Sequence, residues 1–490
     1  MRRLSLAVLG LLTLSMAAQR PAVPDAVARY VKVPAMHRIV LTHVRIIDGT
    51  GAAPLEDQAI VLVDGKIAEI APAASMHPAA DTPVIDLTGR TVFPGLVGMH
   101  DHMYNIARPN FDASYRFEQP LMIPELAFTS PHLYLGAGVT TLRTTGSVEP
   151  YTDLNLKRDI DAGALAGPHL DVTGPYLEGP NSRFLQMHAL RDADDARSTV
   201  DFWAAQGVTS FKAYMNITRA ELKAAIDEAH KLHFEITGHL CSVTYPEAAE
   251  LGIDNLEHGF FVNTQLDPGK QPDVCPPTSG SPTLAKMTAG SAEAKALIDL
   301  LIKDHVALTS TLPVFENDDP IHFHPQQRVL DAMSPPTREA YLSYRTFELS
   351  KAGADADAAK ARAALFANGM ALEREFVAAG GLLLAGPDPT GDGGVLPGFG
   401  DQREVELLVV AGFTPLEAIK IATLNGATYL GRADSIGSIA VGKNADLVVV
   451  KGDPSKQISD IENTEIIFKD GVGYDPEKLL KSALGRYGQY

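Results

Sequence analysis

Two histidines one residue apart, His100 and His102, begin a series of side chains able to hold a metal ion. They end the run Val92-Phe93-Pro94-Gly95-Leu96-Val97-Gly98-Met99-His100-Asp101-His102. In a strand, residues two apart point to the same side, so both imidazoles would face one way. Four more groups lie at the ends of short apolar segments. They are Lys212 in Phe211-Lys212-Ala213-Tyr214, His239 after Gly238, His258 in Glu257-His258-Gly259, and Asp388 in Ala385-Gly386-Pro387-Asp388. Imidazole nitrogens and a carboxylate are ligands for Zn²⁺ or a similar divalent ion. Each residue alone fits a hydrogen-bonded core histidine or a capping aspartate. What argues for a metal centre is that all of them sit in register at segment ends. Lys212 is the odd member. A charged ammonium among metal ligands is unfavourable, so its pKa should fall strongly, leaving a neutral amine free to react.

These groups need a scaffold that gathers strand ends. The middle of the chain alternates short apolar segments with helical patterns, the signature of parallel βα units. Eight candidate strands stand out: 95–99, 139–144, 170–174, 210–214, 235–239, 255–259, 307–312 and 381–386. Helical segments such as 219–232 and 357–379 lie between them. The pattern predicts a (β/α)8 TIM-type barrel, whose strands end in one ring at the C-terminal mouth. An open doubly wound sheet is the alternative, but no Gly-x-Gly-x-x-Gly follows the first strand. Long polar insertions at 104–131 and 315–344 follow strands one and seven and should stand at the mouth.

The chain ends read differently. Segments 39–47, 59–63, 66–70, 84–87 and 91–93 are β-like, with Asp64-Gly65 as a hairpin turn. The pattern returns at 437–439, 446–450 and 465–468. A small β-sandwich built from both ends would account for this. The expected division is a β-sandwich part at 37–93, the barrel at 94–432, the second sandwich part at 433–472 and a tail at 473–490. The tail should be peripheral or lie in contacts between copies, and a homo-oligomer is expected.

With these motifs together, the chain resembles the amidohydrolase superfamily. The carriers are Phe93-Pro94-Gly95 with His100-x-His102, Lys212, His239, Glu257-His258-Gly259 and Asp388. Gly412-Phe413-Thr414-Pro415-Leu416-Glu417-Ala418 and the run from Gly437 to Leu447 add to it. The likeness covers about residues 40 to 470. Within the superfamily it is nearest the imidazolonepropionase-like branch that contains Xaa-Pro and related dipeptidases. The resemblance implies two divalent metal ions, expected to be zinc, bridged by Lys212 carboxylated with CO₂. His100, His102 and Asp388 would hold the first ion, and His239 and His258 the second. A bridging hydroxide would attack an amide carbonyl, with Asp388 moving the proton to the leaving nitrogen. One departure matters. Many relatives carry His-x-Glu after the strand-eight Asp, where this chain has Gly400-Asp401-Gln402-Arg403-Glu404.

Substrate contacts are expected from Tyr214, two residues beyond Lys212, and from Arg183 or His188 on the loop after strand three. A guanidinium suits a bidentate carboxylate contact. His322 and His324 are weaker candidates. The expected substrate is a small molecule, a dipeptide or N-acyl amino acid. A cyclic amidase, lactonase or deaminase on the same scaffold is the enzymatic alternative, though such deaminases lack the strand-four lysine. A binding protein that lost catalysis would have lost ligands.

Composition sets the remaining bounds. The 490 residues carry a net charge of −18 with no basic block, which argues against nucleic acid and anionic membrane surfaces. Arg2, Arg3, an apolar run from Leu4 to Leu14 and small residues at Ser15, Ala17 and Ala18 read as a signal peptide over 1–18. The run is about 11 residues, short of the roughly 20 that span a bilayer. Export to the periplasm or medium, without a stable membrane anchor, follows. Cys241 and Cys275 could pair after export or remain two buried thiols.

Overall fold

The structure, a computed structural model, describes residues 25–107, 121–123, 126–182, 184, 186–317, 323–389 and 393–488. The leader segment, Arg183 and His322 lie outside the described residues. No helix among the described residues is long and apolar enough to cross a membrane.

Eight parallel strands follow one another in sequence order around a (β/α)8 barrel. They are β1 (Leu96–Asp101), β2 (Val139–Thr144), β3 (His169–Leu177), β4 (Ser210–Ala213), β5 (Glu235–Gly238), β6 (Asn255–Glu257), β7 (Ala307–Ser310) and β8 (Leu383–Ala385). Each falls on a segment expected to be a strand. Where β8 runs out, the Asp388 amide donates to the His100 carbonyl at 3.0 Å, drawing the last strand to the first. Gly386 makes that approach possible, because a Cβ there would lie 2.2 Å from the His100 nitrogen. The intervening helices begin where the sequence supplies caps. Thr218 and Glu221 form a capping box at Arg219–Lys231, and Thr244 and Glu247 another at Tyr245–Leu251.

The chain ends build the second, β-rich unit, a single nine-stranded sheet. Strand Arg90–Pro94 is its seam. It pairs in parallel with Arg38–Ile46 from the N-terminal part and antiparallel with Leu447–Lys451 from the C-terminal part. Side-chain alternation divides the seam between two cores. Val92, Leu447 and Val449 pack with Ile39, Leu41, Ile60 and Phe468. Phe93, Val448 and Val450 join the barrel core instead. The turn at Asp64-Gly65 has φ of 49° and 77°, the paired positive values of a tight hairpin.

Two local expectations are corrected. Residues 437–439 form no strand; they lie in a loop with Gly437 at φ 80°. The tail is not peripheral. Val472–Tyr474 belongs to the nine-stranded sheet, and helix Pro476–Ala483 buries Leu479 and Ala483 completely. Tyr487 is fully buried against Leu133, Met333 and Phe399.

Candidate active site

At the C-terminal mouth, β1 carries a bulge. Leu142 and Thr144 of β2, two residues apart, pair with Gly98 and Asp101, three apart. The extra residue reverses the alternation. A Cβ on Gly98 would point at Asp401, on a helix outside the wall, at 3.0 Å. His100, two residues on, lies inside the barrel with its ring among side chains from the other strands.

Five elements deliver the cluster. His100 Nδ1 is 2.7 Å from Glu257 Oε2, and its Nε2 is 3.0 Å from Lys212 Nζ and 3.7 Å from Asp388 Oδ1. His102 Nε2 is 3.2 Å from Asp388 Oδ1. Ligand atoms of His100, His102 and Asp388 all lie within 4.8 Å of one another. His258 Nε2 faces His239 Nδ1 at 2.8 Å, while His258 Nδ1 is 2.8 Å from Thr311 Oγ1. Asp388 and His258 adopt left-handed backbone, with φ of 52° and 69°. That conformation turns each side chain out of strict strand alternation. It is why Glu257 and its neighbour His258 both reach the interior.

The protonation pattern follows from geometry. Glu257 occupies His100 Nδ1 and Thr311 occupies His258 Nδ1. If each Nδ1 carries the proton, both Nε2 lone pairs face the cavity. Burial holds His100 down at about 4, helped by the Lys212 charge. Burial holds His239 and His258 well below the usual imidazole range as well, with the charges of His258 and His100 acting on them respectively. Neutral imidazole is the form that ligates metal. Lys212 is 1% exposed, and burial brings its pKa down to about 8 against the pull of Glu257 and Asp388. Asp388 goes the other way. Burial would raise it, but His100 and His102 hold it well below the ordinary carboxylate range. The His102 Nδ1 atom is buried without a partner. Neutral imidazoles, an ionised carboxylate and a lysine whose ammonium is made easier to deprotonate form a donor set that fits divalent cations.

Around the cluster the structure adds residues that the sequence reading left unassigned. Arg143, 1% exposed inside the barrel, donates to the Met99 carbonyl, Asn255 Oδ1 and Glu257 Oε1. Thr237 also bonds Glu257. Tyr176, 3% exposed, stands 5.3 Å by ring centroid from Lys212 Nζ and shares a 2.5 Å hydroxyl contact with Tyr104. Phe315 stacks on Phe261 at 4.1 Å and meets His258 edge-on. Period-two spacing from Asn255 was a usable signal for Glu257. Arg143 could have been noticed as the one charge in an otherwise uncharged, buried strand.

The expected substrate contacts divide. Tyr214 is at the site, with its ring 5.0 Å from His239 and 4.8 Å from Tyr176. His188 is not brought there. Its side chain is 53% exposed and lies 3.2 Å from Asp195. It lines an outer cavity of about 480 Å³ that also touches Tyr176 and Met187. His324 is exposed and borders a cavity of about 320 Å³ beside Arg403 and Glu316. Gly400–Glu404 falls in helix Phe399–Val410, where Asp401 faces Asp101 behind the wall. Cys241 and Cys275 form a disulfide, tying the loop two residues past His239 to the segment after β6.

Comparison with known proteins gives a consistent result. The description of the Amidohydrolase family matches residues 400–481. An imidazolonepropionase of Porphyromonas gingivalis is 24% identical over 432 residues, 84% of this chain and 86% of that protein. A Xaa-Pro dipeptidase structure with methionine in its active site superposes with a TM-score of 0.64 at 20% identity, covering 89% of this chain and all of that one. A bottromycin amidohydrolase gives 0.67 at 20% identity, covering 94% and 95%. At these identities the two superpositions speak to the fold.

Proposed function

We propose that the chain is a member of the amidohydrolase superfamily and an exported binuclear metal-dependent hydrolase that cleaves a small amide, a dipeptide or N-acyl amino acid; its match to the Amidohydrolase family over residues 400–481 and its 24% identity to an imidazolonepropionase support this reading. The observation that carries this reading is the position of Lys212, buried with its nitrogen 3.0 Å from His100 Nε2 at the centre of the cluster. A lone ammonium is a poor occupant of that position, and a carbamate is a good one. The ammonium would first lose a proton; the neutral Nζ would then attack the carbon of CO₂, the N–C bond forming as one C–O π pair moves to oxygen, and loss of a second proton from nitrogen would leave an anionic carbamate. His100, His102 and Asp388 would then hold one ion, and His239 and His258 the other, with zinc the expected metal. Bound there, the ions would supply a hydrolytic water at neutral pH and polarise the scissile carbonyl.

The protein's own groups do the rest. Asp388, held ionised, is placed to accept a proton and return it to the leaving nitrogen. Glu257 and Thr311 fix the two histidines in the ligating tautomer. Tyr214 offers a hydroxyl at the rim for the substrate carbonyl or carboxylate. Tyr104, Met122, Tyr176, Met187 and Phe184 form an apolar wall, which suits a small substrate with an apolar side chain.

Elemental analysis of the protein, with Lys212→Ala and Asp388→Asn assayed on a dipeptide and N-acyl amino acid library, tests this reading. We expect about two metals per chain, loss of metal and activity together in Lys212→Ala, and turnover lost by orders of magnitude in Asp388→Asn. About one metal, with Lys212→Ala unaffected, would remove the bridging lysine. The likeness to an imidazolonepropionase supports a cyclic amide as the second reading, so the library includes cyclic amides and lactones.

Export rests on the leader and on the Cys241–Cys275 bridge, which persists in oxidising compartments. N-terminal sequencing of protein recovered outside the cytoplasm should begin just after Ala17 or Ala18. An intact Met1 on active protein in the cytoplasm would reject it.

A further inference from the structure

A different cluster lies at the opposite end of the barrel. His169 is the first residue of β3, Asp446 immediately precedes strand Leu447–Lys451, and Asp470 sits in the turn after strand Thr464–Lys469. One ligand atom from each falls within 4.8 Å of the other two. Tyr176, beside Lys212 at the mouth, is further along the same strand. At ~3.3 Å per residue, the two clusters are separated by roughly 20 Å of β3. The lower cluster therefore belongs to neither the proposed centre nor its walls.

Two observations point to a missing occupant. Asp446 is 5% exposed, and its Oδ2 has no hydrogen-bond partner; its Oδ1 accepts the Asp470 amide at 2.7 Å. An orphaned carboxylate oxygen at such depth is costly. His169 Nε2 lies 3.0 Å from Asp470 Oδ2, yet that nitrogen makes no hydrogen bond, so its donor axis does not run along the line to the oxygen. Donors about 2.1 Å from a shared ion and this far apart subtend about 90° at it. Each donor axis then lies about 45° off the line between them. A His169 Nε2 that stands 3.0 Å from Asp470 Oδ2 without a hydrogen bond is compatible with that arrangement. Burial, then the charge of Asp470, raises the Asp446 pKa.

We propose that His169, Asp446 and Asp470 form a structural divalent-cation site of the zinc class, with water completing the shell, that pins the start of β3 to the accessory sheet. One imidazole and two carboxylates suit Zn²⁺ and its borderline neighbours better than Ca²⁺, which takes all-oxygen shells. The ion would join three segments distant in sequence, so its binding free energy becomes folding free energy. Lys469 is buried beside Asp470, and burial lowers its pKa against the pull of Asp470 and Asp446; a bound cation would deepen that lowering.

The test uses chelator-treated protein titrated with Zn²⁺, comparing wild type with His169→Gln and Asp470→Asn. Three readouts apply: metal content after dialysis, the zinc-dependent rise in Tm, and kcat with the mouth reloaded. The expected result is about one ion fewer per chain in each variant and a smaller zinc-dependent Tm rise, with kcat retained. Wild-type metal content and wild-type Tm rise in both variants would overturn the site. So would loss of kcat in step with the metal, because the cluster would then not be independent of the mouth. If His169→Gln does not fold, Asp470→Asn, whose side chain is 44% exposed, decides alone.

Discussion

Buried carboxylates lie on both faces of the barrel wall, and burial affects them in opposite ways. Inside, Glu257 and Asp388 stay ionised. Burial alone would raise both, but His100 and Arg143 outweigh it at Glu257, and His100 and His102 outweigh it at Asp388. Outside, Asp101 and Asp401 face each other, and Glu373 and Glu404 approach β7 through Ser310 and the Leu312 amide. There burial wins. It pushes Asp401 up to about 7, Glu373 up to about 8, and Asp101 and Glu404 well above the usual range. Depth does not separate the groups, since Glu257 and Glu373 are both fully buried. The difference is the partners: the Arg143 guanidinium and hydrogen-bonding imidazoles inside, and acids with hydroxyl or amide partners outside. A barrel interior that keeps anions charged at neutral pH is prepared for electrostatic work. Protons can neutralise the outer acids, which then serve as hydrogen-bonding groups between strands and helices.

The inner group should give the largest effect when broken. Glu257→Ala leaves Arg143 buried opposite no carboxylate, which costs about 3–5 kcal/mol of stability. Denaturant unfolding at neutral pH measures it, and near-wild-type stability would mean that Arg143 is satisfied by the Met99 carbonyl and Asn255 alone. Glu257→Gln keeps the shape and removes the charge behind His100. It should fold, and should weaken metal binding ~10–100-fold, as losing a partner behind a ligand does. Unchanged metal affinity would separate Glu257 from the centre. The stability supplied by the ionised form has a sign. It is present above the unfolded carboxylate pKa of 4.5 and is lost as pH falls through the depressed folded value.

How much of this was legible in sequence depended on whether strand periodicity was respected. His100, His102, Lys212, His239 and Asp388 could be found because each stands at the end of an apolar segment, and parallel topology puts those ends in one ring. Glu257 was in view and unassigned, because strict alternation sends it and His258 to opposite sides. The left-handed backbone at His258 cancels that rule. The bulge in β1 is equally local and leaves no residue signature. The Cys241–Cys275 pairing and the His169, Asp446, Asp470 cluster depend on loops and turns whose meeting no periodicity encodes. The outer acids are the clearest case. Asp401, Glu404 and Glu373 occupy helices and look in sequence like solvated charges, and only the packing of those helices on the wall shows that they are dry.

The outer group should give a smaller effect of opposite pH sign. Glu373 Oε2 accepts from Ser310 Oγ at 2.8 Å, and Oε1 is left without a partner. Its folded pKa, about 8, lies above the 4.5 of the unfolded chain. Between those values the folded protein holds a proton that the unfolded chain has released. Its contribution to stability is therefore full below pH 4.5 and is lost as pH rises through about 8. The local slope cannot exceed ~1.4 kcal/mol per pH unit, the ceiling for one proton. Glu373→Gln cannot titrate. It should flatten the fall in Tm between mildly acidic and mildly alkaline pH, while Glu257→Gln should leave that limb unchanged and alter the acid one. Matching alkaline limbs in Glu373→Gln and wild type would show that Glu373 is ionised in the folded protein, and the contrast between the two faces of the wall would then rest on Asp101, Asp401 and Glu404 alone.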